Sequence, residues 1–180
     1  MSGAAAKSLG PLHDYVEYDH AADSFLDDVL EGLAQPQKKL SSKYFYDERG
    51  SQLFDAICEL PEYYPTRTET ALLRAHAAEF AELIGANASV VEFGSGSSTK
   101  IRILLDALET PAAYIPVDIS REHLLASAKA LAGAYPDLPV VPIAADYTQP
   151  FEVPEITGEA ARIGFFPGST IGNFTRAAAV

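Results

Sequence analysis

A chain of 180 residues suits one domain, or one domain with part of another, and 48% hydrophobic residues at a mean hydropathy of +0.02 suffice for a buried core rather than a disordered chain. A formal net charge of −12, from 25 acidic against 13 basic residues, argues against a nucleic-acid partner, whose phosphates demand a basic face, and fits a solvated acidic surface. The single cysteine, Cys58, excludes an internal disulfide framework and a cysteine-rich metal site, and its apolar helical setting predicts a buried thiol.

The first residues, "MSGAAAKSLG", lack the long apolar core of a secretory signal. No apolar run approaches the roughly 20 residues that span a bilayer, so the expected location is the cytoplasm, with no membrane partner. Residues 1–18 read as a loosely held arm. "DHAADSFLDDVLEGL" sets Phe25, Leu26, Val29, Leu30 and Leu33 on one helical face, with Asp23 or Ser24 as cap and Pro36 beyond its end. "QKKLSSKYFYDERG" reads as a loop. "SQLFDAICEL" follows as a short helix capped by Ser51, with Leu53, Phe54, Ile57 and Leu60 inward. "PEYYPTRTE" is a proline-bounded loop with two adjacent tyrosines, and a helix runs from about Thr68 to Ile84, where Gly85 stops it.

After Gly85 the pattern changes. "SVVEF" is a short β-branched run, followed by a glycine turn and the helical "TKIRILLDAL". "AYIPVDIS", "LPVVPIAADY" and "ARIGFFPGS" are further strands, with "REHLLASAKALAGAY" a helix between the first two. Alternating strand and helix at this spacing predict βαβ units in an open, doubly wound α/β sheet. The expected organisation is a helical region over residues 1–85 joined to an α/β core over residues 86–180.

Ligands of such sheets sit outside the carboxyl ends of the strands. Acidic residues fall at three of these ends: Glu92, Asp118 and Asp146. The turn in "VEFGSGSSTK" has three candidate ligands. A P-loop needs glycine before Lys100 and a hydroxyl after it, whereas Thr99 and Ile101 stand there, which removes that reading. A dinucleotide fingerprint has Gly94 and Gly96 but finds Thr99 in place of its third glycine, which weakens it.

S-adenosylmethionine (SAM) has no phosphate and asks only that its amino acid part approach the backbone, which glycine allows. Asp118, 24 residues after Gly94, suits the two ribose hydroxyls, and Asp146 with Tyr147 offers adenine an acceptor and a ring. Lys100 is positioned to meet the methionine carboxylate. A SAM-dependent methyltransferase with a Rossmann-like core fits these residues best, and an NAD-dependent oxidoreductase stays open behind it.

Three longer segments are more specific. "KYFYDERGSQLFDAICELPEYYPTRTE", "VVEFGSGSSTK" and "FFPGSTIGNF" closely resemble the SAM-dependent histidine Nα-methyltransferases of ergothioneine biosynthesis, which convert L-histidine to the trimethylated betaine hercynine. The resemblance covers Lys43 to Phe174. It implies cofactor contacts at Gly94, Lys100, Asp118, Asp146 and Tyr147, and substrate contacts at Tyr64 and Asn173. It also implies longer proteins with a fuller sheet than the four strands counted here. These 180 residues are accordingly expected to be the N-terminal part of such an enzyme, monomeric at full length, with the SAM half of the site and an incomplete histidine half. No His/Asp pair offers a general base, so no catalytic acid or base is named, and no metal is expected. A family member acting on another amino acid or small amine, and a non-catalytic SAM-binding remnant, remain alternative readings.

Overall fold

The computed structural model describes residues 7–9, 12–18, 25–154, 160–177 and 179. Among the described residues six strands form one sheet: β1 (Lys7–Leu9), β2 (Leu12–Glu17), β3 (Ser89–Phe93), β4 (Ala113–Asp118), β5 (Ile143–Ala144) and β6 (Arg162–Phe165). Their order is β1-β2-β5-β4-β3-β6, with β1 antiparallel to β2 and every other pair parallel. From β3 the chain steps one way through β4 to β5, then crosses back to place β6 on the other side of β3. Strand order therefore reverses at β3/β6, as in a doubly wound Rossmann-like fold, and that reversal opens a crevice at the carboxyl ends.

Alternation along the strands sorts the core. Val90 and Tyr114, opposed across β3 and β4, face the helices α4 (Thr99–Ala107) and α5 (Arg121–Ala134), meeting Ile101, Leu104, Leu105, Ala128 and Leu131. Val91, Ile115 and Val117 face the other way with Val141 and Ile143, covered in part by Phe151 and Val153. Strands buried on both faces read as continuous apolar runs, and β4 is buried at all six positions.

Residues 7–9 and 12–18 are not a loose arm. β2 pairs with β5 through Val16↔Ile143 and Glu17↔Ala144, and buries Tyr15 (1% exposed) against Leu124 and Ala144. The Tyr15 hydroxyl accepts from Arg121 Nε at 2.8 Å. The pairing joins segments far apart in sequence, and no local period announces it. The strand expected in "LPVVPIAADY" shrinks to Ile143–Ala144 and one bridge, Tyr114↔Val140, because Pro139 and Pro142 have no N–H for the ladder.

The helices before the core are α1 (Phe25–Ala34), α2 (Glu48–Cys58) and α3 (Tyr64–Ile84), with a 3₁₀ turn at Ser42–Phe45. The expected cap of α1 at Asp23 or Ser24 lies outside the described residues. Its apolar face exists but is not buried: Phe25, Leu26, Leu30 and Leu33 are all exposed. α2 begins earlier than expected, because the Asp47 carboxylate rather than Ser51 caps it, accepting from Gly50 N at 2.6 Å. Of its inward set only Phe54 is half-buried, while Leu53, Ile57 and Leu60 are exposed; Cys58 is half-buried and accepts from the Thr66 hydroxyl at 3.3 Å. α3 starts four residues before Thr68, since Pro65 at the first turn suits a position whose N–H has no helical partner. Gly85, at φ +77°, ends it. Among the described residues no helix is long and apolar enough to cross a membrane.

Candidate functional site

A cleft of about 590 Å³ opens at the carboxyl ends of β3, β4 and β5. The β3–α4 turn forms its floor. Gly94 at φ +70° and Gly96 at φ +48° occupy the left-handed region, where glycine pays no steric penalty, and their backbone turns against the end of β4. Gly94 N donates to Val117 O at 2.9 Å, and Gly96 N to Asp118 Oδ2 at 3.2 Å. A side chain at Gly94 would meet the Tyr147 ring at 3.9 Å, so the turn and that ring bound the same space.

Asp118 closes β4 and is buried. Its Oδ1 accepts from Ser120 N at 2.9 Å and its Oδ2 from Gly96 N, which fixes the carboxylate and leaves each oxygen a further lone pair. Burial pushes its carboxyl up, against the pull of these backbone N–H groups. Glu92 lies one residue before the end of β3, not at its end, and is 1% exposed. It accepts from the Tyr114 hydroxyl, and desolvation raises its carboxyl to about 8 despite that bond. At neutral pH Glu92 is a neutral acid beneath the glycine turn.

Asp146 follows β5. Its Oδ1 accepts from Thr148 N (2.9 Å) and Thr148 Oγ1 (2.5 Å), while its Oδ2 takes the Lys43 ammonium at 3.2 Å. Tyr147 belongs to an aromatic wall with Phe93, Phe166 and Phe174, at centroid separations of 6.1, 5.5 and 6.4 Å. Desolvation raises its phenol to about 12, so the ring presents a neutral hydroxyl.

The N-terminal helices supply the opposite side. Tyr46, Phe54 and Tyr63 line the cleft and pack edge to face in sequence, at 6.3 and 6.0 Å. Lys100, on the first turn of α4, and Asn173, closing the 3₁₀ turn Thr170–Asn173 after β6, also line it. Six of the seven residues singled out from sequence, Gly94, Lys100, Asp118, Asp146, Tyr147 and Asn173, thus meet around one space. Tyr64 does not: it stands at the start of α3, 66% exposed, and its neighbour Tyr63 faces the cleft instead. The start of α3 falls between the adjacent tyrosines, Tyr63 at the cap and Tyr64 as the first helical residue, and reading "EYYP" as a loop hides that boundary. Tyr46 and Phe54 were also missed, although both lie in the longest of the motif segments.

The pocket suits a polar ligand. Ser95 Oγ and His123 Nε2 are shielded from solvent at its edge with no hydrogen-bond partner. Such buried groups call for a partner. Acceptors at Asp118 and Asp146, a cation at Lys100 and rings on two sides match a nucleoside carrying an amino acid tail.

A family model described as histidine-specific methyltransferase, SAM-dependent, matches residues 25–180. A histidine N-alpha-methyltransferase of Mycolicibacterium smegmatis is 41% identical over 169 residues, covering 92% of this chain and 52% of that protein. One of Mycobacterium tuberculosis is 42% identical over 151 residues, covering 82% of this chain and 46% of its own. An ergothioneine biosynthesis protein 1 of Neurospora crassa is 41% identical over 90 residues, 48% of this chain and 10% of that one. The chain spans about half the length of the first two.

Proposed function

The chain belongs to the SAM-dependent, histidine-specific methyltransferases, and on that premise we propose that its cleft binds SAM for methyl transfer to the α-amine of L-histidine, the step that makes hercynine. The observation that carries the reading is the convergence of Gly94, Asp118 and Asp146 from three successive strand ends on one cleft.

The geometry supports the following roles. Asp118, held by two backbone N–H groups, accepts the two ribose hydroxyls. Asp146 accepts the adenine amine at Oδ2, the oxygen it now shares with Lys43. The Tyr147 ring would flank the base, the Gly94 turn would admit the amino acid tail, and Lys100 would hold its carboxylate. SAM supplies a methyl group made electrophilic by its sulfonium.

On the other side, Asn173 offers an amide oxygen and an amide N–H₂ to the α-amino acid end of the substrate. Tyr63, rather than the exposed Tyr64, takes the substrate-side aromatic position. Rings at Tyr46, Phe54 and Tyr63 suit an amine that becomes a permanent cation as methyl groups accumulate. Rate enhancement then comes from holding nitrogen, methyl carbon and sulfur in line. No side chain is assigned as base. A cytoplasmic setting and a monomeric full-length enzyme complete the reading.

Titrating L-histidine into the chain saturated with S-adenosylhomocysteine tests the substrate. Heat of binding that appears with L-histidine, and not with L-tryptophan or a simple amine, supports it. Equal heats from all three favour a family member with a different acceptor, and no heat from any, with S-adenosylhomocysteine bound, favours a SAM module that does not take the substrate by itself.

A further inference from the structure

One carboxylate ties the two arms of the crevice together. Glu69, on the second turn of α3, places Oε2 at 2.5 Å from Lys100 Nζ and receives Gly168 N on Oε1 at 2.7 Å. Lys100 belongs to the arm that follows β3, and Gly168 to the loop that follows β6, the two strands between which the sheet reverses. Gly168 sits at φ +84°, and a Cβ there would lie 3.5 Å from both Lys100 Nζ and Thr170 Oγ1. Ammonium, loop backbone and 3₁₀ turn therefore converge on one point. Five residues further along that loop is Asn173. Glu69 itself is not among the residues that line the cleft, whereas Lys100 and Gly168 are.

We propose that Glu69 is a positioning residue that registers the donor arm, through Lys100, against the substrate arm, through Gly168 and the turn carrying Asn173. The assignment rests on the reading of Lys100 and Asn173 given above. Its physical basis is the length of the lysine stem and the openness of the loop. A free lysine samples many rotamers and a glycine turn many backbone states, and a charge-assisted pair of hydrogen bonds removes both freedoms at once. A merely stabilising ion pair would need only the lysine. The second oxygen on the Gly168 amide makes the contact a coupling between arms.

The test is hydrogen exchange across residues 166–174 of the full chain, for wild type, Glu69→Ala and Glu69→Gln, with and without S-adenosylhomocysteine. Glutamine keeps a carbonyl for Gly168 N but turns an N–H₂ toward Lys100, so it separates the two contacts. The expected results are at least tenfold faster exchange in Glu69→Ala without ligand, and exchange within threefold of wild type in Glu69→Gln. Added ligand should slow exchange in this segment in wild type alone. Wild-type exchange in Glu69→Ala, or equal acceleration in both variants, overturns the tether. Ligand-induced slowing that persists in Glu69→Gln overturns the coupling through Lys100. Calorimetry on wild type keeps the two readings apart: absent ligand heat with intact variant differences would sink the SAM assignment and leave the tether standing. Both substitutions sit on a half-buried helical position where Ala and Gln are good helix formers.

Discussion

The Lys43 ammonium bridges Asp146, at 3.2 Å, and Asp28, at 3.0 Å. Asp146 follows β5, whereas Asp28 belongs to α1, so one lysine links the N-terminal helices to the β5 end of the cleft. Burial works against the lysine's charge, but its hydrogen bonds to the two carboxylates hold it above the ordinary value. Asp28, bonded by Tyr44 and Lys43, is held below its own.

Removing that charge with Lys43→Met keeps the apolar stem and leaves the buried Asp146 facing no cation. The expected loss is about 1–2 kcal/mol, between the values for exposed and buried pairs. Urea denaturation of Lys43→Met, Asp146→Asn and the double variant measures it. The pair should show a coupling of about 1 kcal/mol; strictly additive effects would mean that the ion pair contributes nothing.

Glu92 predicts a pH dependence of stability. Its carboxyl titrates near 8 when folded, against 4.5 for an ordinary glutamate. Between those values the folded chain holds a proton that the unfolded chain has released. The contribution is fully present below about pH 4.5 and is lost as pH rises through about 8. Glu92→Gln, which is neutral throughout and keeps an acceptor for Tyr114, removes it. Stability of wild type relative to Glu92→Gln should fall across that window, with a slope of up to ~1.4 kcal/mol per pH unit. A difference that stays flat from pH 5 to 8 would show that Glu92 is ionised in the fold.

The adjacent tyrosines should behave differently. Tyr63→Ala removes a ring packed on Phe54 and should cost about 1–3 kcal/mol, together with at least tenfold in affinity for the amino acid substrate. Tyr64→Ala, at an exposed site, should stay within about 0.5 kcal/mol on stability. Thermal denaturation and substrate titration of both variants decide. A larger effect at Tyr64 would favour Tyr64 over Tyr63 as the substrate contact.

Much of the cleft was legible because its residues follow local rules. A strand, a glycine turn and a helix announce Gly94, and the ends of the next strands give Asp118 and Asp146 without any knowledge of packing. What was hidden depends on distance in sequence. β2 is held by β5, more than a hundred residues later, and Glu69 meets Lys100 and Gly168 only through the fold. The apolar face expected for α1 and the inward set expected for α2 rested on period alone, and period fixes which residues share a face, not whether anything covers it; Leu26 at 65% and Leu53 at 55% exposure show the difference. Pro139 and Pro142 were visible in the sequence, yet their cost to the third strand needs its neighbours to be known.

The proposed SAM site depends most directly on Asp118. Titration calorimetry of the chain with S-adenosylhomocysteine, beside Asp118→Ala, tests whether the strand-end carboxylates form a SAM site. The expected result is one-site binding by wild type and at least a hundredfold weaker binding by the variant, since a carboxylate held by Gly96 and Ser120 would no longer meet the ribose. Absence of binding by wild type, or equal affinity in the two proteins, would contradict it.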